Sequence, residues 1–118
     1  MKKFNKNAWI RKANALLQKV YVPLNPKCLL CGNPTNCMHH FVYKSQSNNL
    51  KYDAKNLVPL CSRCHSRYHL SGDPMIHANI VLIKGRKWVK DLESRRRIIF
   101  KMNKTNLTEV IKNLEKKL

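Results

Sequence analysis

A chain of 118 residues is long enough for one compact domain with extensions and too short for two domains with separate apolar cores. Lys and Arg number 24 against 6 Asp and Glu, and this formal charge of +18 repels itself unless it meets a polyanion. Nucleic acid is the expected partner, not a membrane: no stretch reaches the roughly 18 apolar residues of a spanning helix.

The start, "MKKFNKNAWIRKANALL", has the lysines of a signal peptide. Arg11 and Lys12 interrupt its apolar run and no small-residue cleavage site follows, so a cytoplasmic location is expected, with reduced thiols. Five cysteines, four of them arranged as C-x2-C twice, then read as metal ligands and not as disulfides.

Residues 7–21 place Trp9, Ala13, Leu16, Leu17 and Val20 at helical spacing, with Arg11, Lys12 and Lys19 elsewhere, which predicts an amphipathic helix with a basic side. The prolines of "VPLNP" (22–26) are expected to end it. Residues 27–72 hold all five cysteines and four of the five histidines. Within them, 37–44 is a predicted strand, 45–55 a polar loop, and 57–60 a second strand before a helix starting near Cys61 to Cys64. A ββα unit results. Asp73 is the predicted N-cap of the next helix, with Pro74 in its first turn and Gly85 as its C-terminal cap. A basic helix is expected over 86–101. The last helix is expected to open at Asn106, with Glu109 completing a capping box and Leu107, Val110, Ile111, Leu114 and Leu118 on one face.

The stretch "CSRCHSRYH" (61–69) raises the question of one metal site or two. Successive helical residues point about 100° apart, so Cys64 and His65 do not aim comfortably at one ion, whereas His65 and His69 share a face. A single site would also leave Cys28 and Cys31 without partners. Two sites solve both problems. Cys28, Cys31, Cys61 and Cys64 form a closed four-cysteine knuckle for a structural Zn2+, without which the centre is expected to unfold. Cys37 reads as a small packed residue and His77 as polar surface. His65 and His69 need a third ligand, and alternation along a strand lets one of His39 and His40 face the helix while the other faces away.

These residues resemble the HNH endonucleases, whose ββα-metal finger carries a His-His or Asp-His pair at the first strand, an Asn before the second strand and a ligand on the helix. The matching positions are His39 and His40, Asn56, and His65 with His69, framed by the cysteine knuckle, across residues 27–69. The resemblance implies that His39, His65 and His69 are ligands of a catalytic ion, that His40 is the general base, and that Asn56 holds the loop that orients His40. The chemistry is consistent with that. A free imidazole titrates near pH 6.5, and three protein ligands leave the open position a catalytic metal needs. The catalytic ion is left as Zn2+, Mg2+, Mn2+ or Ni2+.

The fold expected is α+β, a small ββα-metal finger with a four-cysteine zinc knuckle. It divides into a basic N-terminal helical extension (1–26), a nuclease core (27–72) and basic C-terminal helices (73–118). The activity implied is hydrolysis of DNA to 5′-phosphate and 3′-hydroxyl ends, nicking one strand per centre, with both strands cut by a homodimer or by two turnovers. Lys44, Lys51, Lys55, Arg63 and Arg67 are the expected phosphate contacts. Residues 72–97 are also similar to the NinG (Rap) recombination proteins of lambdoid phages. That likeness implies a phage or mobile-element enzyme in the host cytoplasm, working on branched or flapped DNA, with a phage DNA-processing partner. The rival readings are a non-catalytic zinc-knuckle DNA-binding protein, whose histidines hold a second structural ion, and a protein directed at RNA.

Overall fold

The computed structural model describes residues 3–44 and 46–118. The first two residues of the lysine-bearing start, and Ser45 at the head of the expected polar loop, lie outside the described residues.

Helix α1 spans Lys6–Leu24 and is capped by Asn5, whose side chain accepts from the Ala8 N–H at 3.1 Å. It runs past the predicted stop at 22, with Pro23 inside its last turn. A proline there removes only one late backbone bond, and Asn25 Nδ2 donates to the Tyr21 carbonyl at 2.8 Å. Pro26 sets the end, because the residue before a proline is pushed out of the helical region and Asn25 sits at φ −129°, ψ 72°.

Strand β1, Cys37–His40, pairs antiparallel with β2, Leu57–Leu60, in the register Cys37 to Leu60 and His40 to Leu57. The first strand is shorter than expected because its partner begins opposite His40. The segment expected as a polar loop carries helix α2, Asn48–Lys51, capped by Ser47, and then a 3-10 turn, Ala54–Asn56, capped by Asp53. Its leucine, Leu50, is fully buried with Val42 and Leu92, beneath Phe41 and Trp88. Four helical residues are too few to display a period.

Helix α3 is Ser62–His69, with the Cys61 sulfur accepting the Cys64 N–H at 3.4 Å. Helix α4, Pro74–Lys84, has Asp73 as its N-cap and Gly85, at φ +90°, as its C-cap. Helix α5, Arg86–Arg96, stops well before residue 101. Its terminal carbonyls are taken sideways: Asn49 Nδ2 donates to Arg95 O and Ser47 Oγ to Arg96 O, both at 2.8 Å. Helix α6 is Lys104–Glu115, and its cap is Asn103, not Asn106. The Asn103 side chain accepts the Asn106 N–H at 2.8 Å, which places Asn106 inside the first turn, with its own amide on the Lys101 carbonyl. Leu107, Ile111 and Leu114 are buried, whereas Leu118 lies beyond the helix end and is exposed.

The strand pair is covered on both faces. Met38 and Leu57 pack against Leu17, Val20 and Leu114 of α1 and α6. On the other face Val58 and Leu60 pack against Cys28, Cys61, Cys64, Ile76 and Ile80. The alternation of a strand produces this division, and it puts His39, the register partner of Val58, on the α3 side. Burial of each leucine in these layers contributes about 1.5–3 kcal/mol. Among the described residues no helix is long and apolar enough to cross a membrane.

Candidate active site and metal centres

The cysteine centre is built by a tight turn and a helix start. Cys28 N–H donates to Asn33 O at 2.7 Å and Gly32 N–H to Cys28 O at 3.0 Å, with Gly32 at φ +76° where only glycine is relaxed. The Leu29 N–H bonds the Pro59 carbonyl at 2.9 Å, fastening this turn to β2 just before Cys61. The four sulfurs of Cys28, Cys31, Cys61 and Cys64 lie within 4.8 Å of one another, Cys31 and Cys61 at 3.5 Å. Sulfurs bound tetrahedrally to zinc at about 2.3 Å stand about 3.8 Å apart, so this donor set fits a structural zinc. Burial pushes the Cys28 thiol up, but the backbone N–H groups of Cys61, Cys31 and Leu30 outweigh it and bring it down to about 7. Cys37 is half-buried, with its sulfur 3.9 Å from the Leu60 carbonyl, and is not part of the cluster.

A second convergence lies at the junction of β1 and α3. The nearest ring nitrogens of His39, His65 and His69 are within 4.8 Å of one another. Their ring centroids are 5.6 Å (His39 to His65), 5.5 Å (His39 to His69) and 4.3 Å (His65 to His69) apart. His39 is buried, and desolvation, joined by the charges of His65 and His69, holds its pKa down to about 3. It is therefore neutral, the form in which an imidazole binds a metal. Three nitrogens with room for further ligands fit a catalytic divalent ion better than a closed structural one.

His40 points elsewhere. Its Nε2 lies 2.8 Å from the Lys51 carbonyl, which has no hydrogen to give, so the nitrogen donates and the neutral ring keeps a lone pair on Nδ1. Burial lowers the His40 pKa, the Lys51 carbonyl opposes this, and the charges of Lys44 and Lys51 lower it further. Asn56 has no exposed surface and binds Val42 on both sides: Oδ1 accepts the Val42 N–H at 2.7 Å, and Nδ2 donates to Val42 O at 2.9 Å and Leu50 O at 3.2 Å. The chain just after His40 is thereby tied to α2, whose last residue receives the imidazole.

A cavity of about 420 Å³ brings His39, His40, His65 and His69 to one surface together with Gln18 and Lys44. The other basic residues singled out from the sequence are placed differently. Lys51 is half-buried, with its ammonium 5.8 Å from the Tyr52 ring. Lys55 is exposed and its carbonyl accepts from Trp88 Nε1 at 2.8 Å. Arg63 is exposed on α3, and Arg67 is paired with Asp73 at 2.6 Å. Gln18, Tyr43 and Tyr68 were not legible as site residues. Tyr68 packs 4.7 Å from the His39 ring and its hydroxyl bonds that of Tyr43. Its place between His65 and His69 on α3 was the available signal; Gln18 carries none, because only tertiary packing brings α1 to the strand.

Residues 28–71 match the family model described as HNH endonuclease. The matched segment contains the strand pair, α3 and the four-cysteine cluster, so this part of the chain is similar to the HNH family and has a small α+β form. No significant match exists among the curated proteins or the solved structures.

Proposed function

We propose that the protein is a metal-dependent HNH endonuclease that hydrolyses one DNA strand to 5′-phosphate and 3′-hydroxyl ends. The observation that carries this reading is the division between two adjacent histidines: His39 meets His65 and His69, while His40 turns to the Lys51 carbonyl. In that tautomer Nδ1 of His40 is free to take a proton from the attacking water, and the lowered pKa keeps it unprotonated at neutral pH. A divalent ion held by His39, His65 and His69 would supply charge stabilisation for the phosphoryl transition state and the departing oxygen. Lys44, at the cavity rim, draws in the phosphate backbone, and Asn56 keeps His40 in position from behind.

Because water is the nucleophile, no 2′-hydroxyl is required and DNA is a competent substrate. One such centre cuts one strand, so a double-strand break needs a homodimer or a second turnover. The likeness of residues 72–97 to NinG proteins supports a phage or mobile-element origin.

Supercoiled plasmid, incubated at moderate salt with wild-type and His40→Ala protein in magnesium, manganese, nickel or zinc, tests this. Wild type is expected to nick and the variant to be slower by about 10²–10⁴-fold, the contribution of a general base. Equal nicking by both removes His40 from the chemistry. Absence of nicking in every ion, with DNA binding and zinc retained, turns the assignment to a zinc-knuckle DNA-binding protein.

A further inference from the structure

A second cavity, of about 340 Å³, opens beside the histidine centre and is lined by Tyr43, Tyr68, Gly72, Asp73, Pro74 and His77. Tyr43 lines both cavities. We propose that this second cavity receives one unpaired nucleobase of the DNA strand being cut, an inference that rests on the DNA-nuclease reading above for the identity of the strand.

Its walls are aromatic and held in place. The His77 ring is stacked on Phe41 at 4.7 Å and 17°, and the Tyr43 hydroxyl is bonded to that of Tyr68, whose ring rests on His39. Aromatic surfaces of this kind stack bases of any sequence, since every base has a π-face. Charge decides between the base and the phosphate of a nucleotide. Among the described residues the lining contains no lysine or arginine, although the chain carries 24. Its one acidic group is the Asp73 carboxylate, which accepts from Met75 N–H at 3.0 Å and from Arg67 at 2.6 Å. With Arg67 already paired to Asp73, the described lining offers a phosphate no unpaired cation, whereas the remaining lone pairs of the carboxylate accept hydrogen bonds from base N–H groups. The phosphate therefore belongs at the Lys44 side of Tyr43 and the base on the other.

A base inside a duplex has both faces stacked and its edge paired, so it must leave the helix to enter. The substrate class that follows is DNA with an unpaired nucleotide next to the cut: single strands, flaps, gaps or mismatches.

The test is a binding measurement on full-length, zinc-loaded protein in the His40→Ala background, with a duplex carrying 2-aminopurine either paired with thymine or opposite an abasic site. The unpaired probe is expected to bind about ten-fold more tightly than the paired one, a change of the size one base–aromatic stack gives, with a change in probe fluorescence. Adding His77→Ala or Tyr43→Leu is expected to bring the ratio towards one. Equal binding of the two probes, or a ratio that persists in both variants, overturns the proposal. His77 is exposed, so its replacement leaves the fold intact. Because no cleavage is read, the outcome is separable from the nuclease reading: plasmid nicking with a ratio near one removes the base site alone, and a His77-dependent ratio without nicking upholds the base site and removes the nuclease.

Discussion

Gln18 of α1 grips the backbone of Met38 with both ends of its amide: Oε1 accepts the Met38 N–H at 2.8 Å and Nε2 donates to the Met38 carbonyl at 3.0 Å. The free edge of β1 is thus completed by a side chain in place of a third strand, one residue before His39. Gln18→Ala is expected to leave the Met38 groups without protein partners, at a cost of about 1–3 kcal/mol. Urea unfolding monitored by circular dichroism should show a lower midpoint, and nicking should fall because the strand that carries His39 and His40 loosens. An unchanged midpoint would mean water replaces the amide without loss.

Asn56→Ala removes three buried hydrogen bonds at once, and leaves the Val42 N–H and the Val42 and Leu50 carbonyls without that partner. The expected loss is about 3 kcal/mol or more. Asn56→Asp should be no better, since a carboxylate oxygen would face those two carbonyls where an N–H now donates. If His40 depends on this clasp, both variants will lose nicking while bound zinc, measured by mass spectrometry, stays at the wild-type value.

Chelation tests the cysteine centre. Structural zinc supplies about 10–16 kcal/mol of apparent binding energy in small fingers, and Cys28, Cys61 and Cys64 are themselves part of the apolar layer beneath β2. A strong chelator, or Cys61→Ser, is expected to abolish cooperative thermal unfolding and reduce helical ellipticity. His65→Ala should lose any ion held at the histidine centre yet keep the cysteine-bound zinc and the fold. Loss of both metals in His65→Ala would show that the two centres fold as one unit.

DNA affinity should fall steeply with salt, because each neutralised phosphate releases condensed counterions. Lys44→Ala removes a cation at the rim of the histidine cavity, and should lower the slope of log affinity against log salt by about one. Arg67→Ala should change the slope less, because its guanidinium is already paired with Asp73. A reversed order would place the DNA path along α3 and not across the cavity.

Elements whose signals are local were legible from the chain alone. The second strand, the α3 start at Cys61, the Asp73 and Gly85 caps and each C-x2-C pair rest on residues within a few positions of one another, and the repeat of the C-x2-C spacing was enough to join the two distant pairs into one knuckle. Helix ends were less legible. Pro23 reads as a stop yet is absorbed by Asn25, and Asn106 reads as a cap although Asn103, just upstream, takes that place. Leu50 showed no period in a four-residue helix and is nonetheless the buried anchor of the segment expected as a loop. Alternation along β1 left open which of His39 and His40 faces α3, the family resemblance pointed to His39, and the strand register supplies the physical reason. His39 and His40 are chemically identical neighbours; the register with Val58 and Leu57 sends one to α3 and the other to the Lys51 carbonyl. Gln18 and Tyr43 likewise become site residues through packing alone, because composition and spacing report what a residue is able to do, and the site requires partners distant in sequence to converge.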